Sequence, residues 1–457
     1  MTDPLAATLR TIVGDANVFI DADMMASYES DWTRRFHGHA RMVIRPANTA
    51  EVAAVIRACA AAGASIVTQG GNTSLVGGGL PDGDVVLSTA RLGTIGAIDP
   101  AADEAIVGAG VTCAALNDAA SANGLRLGVD LASRDSATIG GMVSTNAGGI
   151  NVLRYGMMRA QVLGLEFVLA NGEVVNRLVG PAKDNTGYDL VHLLAGSEGT
   201  LAIITRIRVR LVPVYAATAV ALLGFDTTEA AISVVLAAKR LLPDLEAAEF
   251  FVADGLALVR KHTNMSSPFA RAYPFYVLLE VASHLDTSNE FAAFLDGAVT
   301  GGDIAFATSR PDRSRLWAYR ERHTEAINAE GVPIKLDTAI PLLSIGRFLA
   351  EAPAVARAAC PSARVVLFGH IAEGSIHVNL LGAEPNEDAV TTAVLELVAE
   401  LGGSISAEHG IGIAKTPWLH LTRSAADIAA MRAIKHALDP AGTLNRRVIF
   451  PLDTIKL

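Results

Sequence analysis

Four side chains in the C-terminal part of the chain could between them hold a metal ion and move a proton. His370 and His377 flank a turn in the stretch FGHIAEGSIHVN. If residues 365–370 and 376–380 pair as a hairpin, the two imidazoles can come side by side, and the period of two places Asn379 on the face of His377. Converging imidazoles bind divalent metals; two unrelated surface histidines are the plainer reading, and spacing alone leaves both open. Glu408-His409, in ISAEHGIG, adds a carboxylate as third ligand and an imidazole for proton transfer. Gly410 and Gly412 loosen the backbone there, so adjacent side chains need not point oppositely. His370, His377 and Glu408 then form a ligand set of the zinc type, with a position open for substrate.

The N-terminal half carries a different chemistry. In DLASRDSATIGGMVSTNAGGINVLRYG, residues 130–156, Gly140-Gly141 and Gly148-Gly149 are interspersed with Ser133, Ser136, Thr138, Ser144, Thr145 and Asn146. Such a segment can present backbone N–H groups and hydroxyls to an anion with no side chain in the way. The alternative is a small-residue loop packed tightly between sheets. A second stretch, Gly70-Gly71-Asn72-Thr73-Ser74 on to Gly77-Gly78-Gly79, follows directly on an apolar strand at Ile66-Val67. Two phosphate cradles in one half suit one long dinucleotide.

GGNTSLVGG, ATIGGMVSTNAGG with LRYG, KDNTGYDL and GSEGTL together resemble the FAD-binding domain of the vanillyl-alcohol oxidase superfamily, the p-cresol methylhydroxylase type. Within it the likeness is to the branch of D-2-hydroxyglutarate and D-lactate dehydrogenases, from about residue 40 to the C-terminus. The resemblance implies non-covalent FAD held by Gly70, Gly71, Asn72, Thr73, Ser74, Ser133, Thr138, Gly140, Gly141, Ser144, Asn146, Gly148, Glu198, Gly199, Ile204 and Asn445. It implies His370, His377 and Glu408 as ligands of a divalent metal, zinc with manganese as the alternative, and His409 as base. Arg320, Thr324 and Lys335 match in type and spacing the residues that clasp a distal carboxylate in that branch, and Asn379 joins them on the substrate side. Two cations and a hydroxyl suit a second carboxylate better than the methyl group of lactate.

The implied reaction is oxidation of D-2-hydroxyglutarate, or a similar dicarboxylic 2-hydroxyacid, to the 2-oxoacid. The carboxylate and C2 hydroxyl chelate the metal, and His409 takes the hydroxyl proton as the C2 hydride passes to flavin N5. Two departures from the branch stand out: Ala372-Glu373-Gly374-Ser375 replaces a Gly-Asp-Gly-Asn turn, and Gln69 stands where relatives often have arginine. No histidine lies in either glycine loop to invite a covalent flavin bond, and His37 and His39 read as surface residues. The competing functions are a D-lactate or glycolate dehydrogenase, a non-catalytic flavin-binding subunit, and a zinc hydrolase without flavin. Each of the last two leaves one whole constellation unemployed.

The composition agrees with a globular enzyme. The 457 residues are 51% hydrophobic and 18% charged, with 41 glycines, enough for a large core in two or three domains. A net charge of −10 argues against nucleic-acid binding. Three scattered cysteines, Cys59, Cys113 and Cys360, form no disulfide or cluster spacing. With no signal peptide and no apolar run of membrane-spanning length, a cytoplasmic location is expected. The chain contains no second redox centre, so the resemblance implies an external electron acceptor: an electron-transfer flavoprotein, a quinone or a cytochrome. A homodimer is the default oligomer.

The elements needed to position these groups read as α+β. A two-part FAD-binding domain of the p-cresol methylhydroxylase type takes residues 1–215, a ferredoxin-like α+β substrate or cap domain with the metal site takes 216–415, and a C-terminal helical segment, 416–457, returns to the FAD domain. In the first, Met42–Arg45 is a strand and Asn48 with Glu51 forms a capping box for a helix that ends at Gly63. A helix from about Thr112 ends at Gly124. Asn171-Gly172 predicts a type I′ hairpin turn. Arg206, Arg208 and Arg210 alternate with Ile207, Val209 and Leu211, as a solvated strand face or a docking row for an acidic redox partner. Gly108-Ala109-Gly110 opens a nicotinamide-type fingerprint that Cys113 spoils. The cap reads strand, helix, strand, strand, helix, strand through 308, then one long helix over 311–330 with Trp317, Arg320 and Thr324 on one face. An arginine there could equally pair with a neighbouring glutamate. A capped helix over 424–438 ends at Asp439-Pro440.

Overall fold

The computed structural model describes residues 3–181 and 183–451. The chain forms two compact units. One takes the chain up to Gly148, then Gly156–Val214, then the chain from Glu408 onward; the other takes Gly149–Tyr155 and Tyr215–Ala407. The return therefore begins at Glu408, ahead of residue 415.

In the first unit, strands β1 (Val18–Phe19), β2 (His39–Ile44), β3 (Ile66–Gln69) and β4 (Asp82–Ser88) form a sheet in the order β1-β2-β4-β3. β4 runs parallel to both β2 and β3. A parallel neighbour needs a crossover, and the helix Thr49–Ala61 supplies it between β2 and β3, burying Val52, Val55, Ile56 and Cys59 at helical spacing. Asn48 Oδ1 accepts the Glu51 N–H at 2.9 Å, as expected. The Glu51 carboxylate, however, accepts from the Ala47 N–H (2.8 Å) and the Asn48 side-chain amide (2.9 Å), so the reciprocal half of the expected box closes one residue early. The path from β3 to β4 is the first glycine loop itself.

A second sheet has the order β5-β6-β10-β8-β9: Ile95–Asp99, Glu104–Gly108, Ile203–Pro213, Val162–Val168 and Val174–Asn176, with β7 (Leu125–Leu127) beside the end of β10. On β10, Ile207, Val209 and Leu211 are buried in the core cluster that also holds Met42, Val55 and Leu87. Arg206 and Arg208 meet acids on neighbouring strands: Arg208 lies 2.7 Å from Glu104, and Arg206 lies 4.0 Å from Glu166. The β8–β9 turn differs from expectation. Only Gly172 has positive φ (+79°), and Leu169 accepts from the Gly172 N–H (2.8 Å) while donating to Glu173 (2.9 Å). That is a three-residue loop with a left-handed glycine, in which Asn171 needs no strained backbone.

The second unit holds a seven-stranded sheet in the order β14-β11-β13-β12-β16-β17-β15, with every pairing antiparallel. Its first four members are β11 (Ala217–Phe225), β12 (Leu245–Val252), β13 (Phe275–Ser283) and β14 (Ile304–Ala307). Helices Thr228–Leu241 and Ser288–Ala298 join them in the ferredoxin-like manner, with Ala253–Thr263 inserted between β12 and β13. The sheet then extends through β16 (Arg364–His370), β17 (Ser375–Leu381) and β15 (Ile334–Ala339). The turn from β16 to β17 requires Gly374: its φ is +75°, and a Cβ there would sit 2.0 Å from the Ile340 carbonyl oxygen.

The long helix expected over 311–330 is two helices, Arg310–Glu321 and His323–Asn328, broken at Arg322. The cause is His323. Its ring is fully buried between Phe251 and Phe368, at 5.0 and 5.2 Å, and its Nδ1 lies 3.1 Å from the Arg320 carbonyl oxygen, the atom an unbroken helix would pair with the Thr324 N–H. Among the described residues no helix is long and apolar enough to cross a membrane. All three cysteines are free and buried.

Candidate active site

Strand register assembles the candidate metal and substrate groups of the second unit on one face of its sheet. Glu249 on β12 pairs with His370 on β16, which pairs with Ser375 on β17, which pairs with Ala339 on β15. Two residues along, Phe251, Phe368, His377 and Asp337 form the next row, and beyond it lie Val366, Asn379 and Lys335. Residues opposite one another across a ladder share a face, as do residues two apart. His370, His377, Asn379, Lys335, Glu249 and Asp337 therefore all project to the same side.

The two histidines are diagonal neighbours, with ring centroids 5.4 Å apart and planes at 82°. They offer nitrogens within 4.8 Å of one another. Each is backed by a fully buried carboxylate. His370 Nδ1 lies 2.6 Å from Glu249 Oε1, and His377 Nδ1 lies 3.7 Å from Asp337 Oδ1. Asp337 Oδ2 in turn accepts the Ala407 N–H at 3.0 Å. This donor set fits a divalent cation: two imidazoles within ligand distance of one another, each with a carboxylate behind its Nδ1.

Arg320 is buried, and its Nη2 lies 2.7 Å from Glu249 Oε2, with the guanidinium 4.6 Å from the Phe368 ring centroid. The partner is not the neighbouring glutamate of an exposed helix that spacing left open but a buried one on β12. Trp317 Nε1 donates to Glu280 Oε2 at 2.6 Å. Thr324 is half-buried on the second short helix, across the break from Trp317 and Arg320. The turn residue Glu373 is pushed up to about 7, chiefly by burial, with His370 and Lys239 opposing.

His323 gives the second unit an acid-sensitive point. Burial, reinforced by the Arg320 charge, pushes it down to about 3 from the ordinary 6.5. A group with a depressed folded pKa contributes stability above its unfolded value, and that contribution is lost as pH falls from 6.5 toward 3. His323→Phe should remove this term: between pH 7 and pH 5, wild type loses about 2 kcal/mol more unfolding free energy than the variant. Denaturant melts at the two pH values check this, and parallel losses would refute it.

In the first unit the two glycine loops touch. A Cβ on Gly70 would lie 2.2 Å from Thr138 Oγ1, one on Gly71 1.8 Å from the Ser136 carbonyl oxygen, and one on Gly140 2.6 Å from Ala109 Cβ. Gly70 and Gly71 serve the close approach of loop on loop, and Gly140 the approach to Ala109. The hydroxyls hold the loops' own shape. Thr138 caps the helix Ile139–Thr145 through the Gly141 N–H, Ser144 and Thr145 donate to the Gly140 and Gly141 carbonyls, and Ser74 accepts from Val76 and Gly78. The Ser133 carbonyl accepts from Ser136 and Ala137. Asn72 and Asn146 have positive φ (+51° and +49°), and their side chains bond to Ser30 and Arg159 respectively. The hydroxyls of Ser74, Thr138, Ser144 and Thr145 are thus engaged within the loops themselves. Thr73 lies in the first loop, and Ile204 is buried on β10.

The segment that follows Ala407 is held by the same unit. Gly148 packs on Glu408: a Cβ there would meet Glu408 Cγ at 3.0 Å. Buried Glu198, with φ +51°, accepts the Ile411 and Gly412 N–H groups at 2.9 and 2.8 Å. Burial raises its pKa, and those two donors and Lys415 oppose the rise. Asn445 donates to the Glu198 and Gly78 carbonyls (2.7 and 3.0 Å), and Gly199 lies beside its amide. Glu198 and Asn445 thus fasten the loop that carries Glu408 and His409 to the first glycine loop. Sequence reasoning missed Glu249, for which no local signal exists, and Asp337, which the period of two from Lys335 could have flagged.

Residues 40–177 match the model of an FAD-binding domain, and residues 215–449 match that of the C-terminal domain of FAD-linked oxidases. The chain belongs to the FAD-linked oxidase family. The FAD-binding match covers both glycine loops. The chain is 37% identical to a D-2-hydroxyglutarate dehydrogenase of Xanthomonas citri pv. viticola, with 98% of each covered. It is 36% identical to the mitochondrial D-2-hydroxyglutarate dehydrogenase of Bos taurus, covering 98% of this chain and 84% of that one. Among solved structures, p-cresol methylhydroxylase with substrate bound superposes with a TM-score of 0.78 at 18% identity, over 98% of this chain and 97% of that one. An alkyldihydroxyacetonephosphate synthase gives 0.75 at 14% identity, over 98% and 85%. These structures share the p-cresol methylhydroxylase-type fold with this FAD-linked oxidase.

Proposed function

We propose that this FAD-linked oxidase is a divalent-metal-dependent dehydrogenase that oxidises D-2-hydroxyglutarate, or a similar D-2-hydroxy dicarboxylic acid, to the 2-oxoacid. The observation that carries the reading is the single sheet face bearing His370, His377, Asn379 and Lys335. The relatives named above support the substrate class.

Non-covalently bound FAD supplies a two-electron acceptor, and a bound cation, zinc or manganese, supplies Lewis acidity. His370, His377 and Glu408 hold the cation; Glu408 follows directly on Ala407, whose N–H is tied to Asp337 beside His377. His409 receives the proton of the C2 hydroxyl. Arg320, Thr324 and Lys335 hold the distal carboxylate, and Asn379 orients the substrate from the strand of His377. Electrons leave to an electron-transfer flavoprotein, a quinone or a cytochrome, and the enzyme acts as a cytoplasmic homodimer. A second reading, a D-lactate or glycolate dehydrogenase, draws on the Arg320–Glu249 pair, which leaves less net positive charge for a second carboxylate.

The test is anaerobic flavin bleaching of metal-replete protein by D-2-hydroxyglutarate, its L-enantiomer and D-lactate in separate cuvettes. Bleaching by D-2-hydroxyglutarate alone is expected, and Lys335→Ala should raise its KM about 10- to 100-fold, the weight of a charge-assisted contact. Bleaching mainly by D-lactate, or full activity of the Lys335 variant, rejects the dicarboxylate clasp.

A further inference from the structure

We propose that Glu249 is a positioning residue that sets the metal ligand His370 and the substrate cation Arg320 with one carboxylate; this rests on the metal-dependent reading above. Glu249 is 0% exposed and lies directly opposite His370 across the β12–β16 ladder. Its two oxygens are divided between two partners: Oε1 lies 2.6 Å from His370 Nδ1, and Oε2 lies 2.7 Å from Arg320 Nη2.

A buried carboxylate is costly unless paired, so each partner is held in place by the need to satisfy it. At His370 the carboxylate selects the tautomer with the proton on Nδ1. That turns the Nε2 lone pair outward and makes the nitrogen a stronger donor to a cation. At Arg320 it fixes one edge of the guanidinium, while the Phe368 ring, 4.6 Å away, fixes one face. The remaining N–H groups are thereby aimed before substrate arrives. The same Phe368 ring lies 5.1 Å from His377. Metal affinity and recognition of the distal carboxylate thus depend on one side chain.

The experiment compares wild type, Glu249→Gln and Glu249→Ala as FAD-loaded, chelator-stripped proteins. Zinc is titrated against a chromophoric chelator, and KM and kcat for D-2-hydroxyglutarate are measured on the metal-replete forms. Glu249→Ala should weaken zinc binding about 10- to 100-fold, the usual effect of removing the acceptor behind a ligating histidine. It should also raise KM more than it lowers kcat. The glutamine variant, whose carbonyl oxygen can still accept from His370 Nδ1, should bind zinc within about threefold of wild type. It should share the raised KM, because a neutral amide holds the guanidinium edge more weakly than a carboxylate does. A purely structural role would lower thermal stability and leave both constants unchanged. Unchanged zinc affinity in the alanine variant overturns the inference and leaves the metal-dependent reading standing. If that variant does not fold, an unchanged KM in the glutamine variant overturns it. Wild type that binds no divalent cation overturns both.

Discussion

His409→Asn lowers kcat on D-2-hydroxyglutarate by about 10²- to 10⁴-fold, the usual worth of a positioned general base. The substitution keeps a hydrogen-bonding side chain of similar size but removes the proton acceptor. The loop should survive it, because its anchors lie on either side: Glu408 packs over Gly148, and the Ile411 and Gly412 N–H groups are fastened to Glu198. The variant should therefore retain FAD in full stoichiometry and an unaltered visible spectrum. Its slow bleaching should rise with hydroxide concentration. Anaerobic stopped-flow reduction across pH 6 to 10 measures this. Retention of activity within about tenfold would assign the proton to another group.

His377→Ala abolishes metal-dependent turnover, with a loss of about 10³-fold in kcat/KM, or roughly 4 kcal/mol, which is the scale of a Lewis acid's contribution. Asp337, the carboxylate behind His377, keeps its Ala407 N–H partner, so the substitution does not strand a buried charge without a donor. Dialysis of wild type against a chelator should reproduce the loss, and zinc or manganese should reverse it. The alanine variant should stay inactive at the metal concentration that restores wild type. If chelator treatment leaves wild-type flavin reduction unchanged, the histidines are not metal ligands in turnover, and the flavin assignment stands alone.

Much of this molecule is legible locally. The alternation around 365–380 places His377 and Asn379 on one face, and the hairpin that would set His370 beside them forms as read. The glycine loops are visible as loops, although the reason for their glycines is not. Gly70 and Gly71 are small because loop packs on loop, a contact between segments some seventy residues apart. The succession of strands and helices in the cap predicts its ferredoxin-like core, because each element is encoded by apolar spacing within its own window.

What the tertiary structure decided is non-local pairing. That β15 lies beside β17, and so sets Lys335 opposite Asn379 and Asp337 opposite His377, follows from how the sheet buries its faces. Glu249 reaches His370 from 121 residues upstream, a distance no periodicity spans. The helix expected over 311–330 breaks because His323 is drawn between Phe251 and Phe368, and burying that ring outweighs the backbone bond lost at Arg320. Sequence determined most elements and the face each presents, since backbone sterics and the polarity of near neighbours set both. Which faces meet was decided by burial summed over the whole unit, and the carboxylates behind the two histidines exist only at that level.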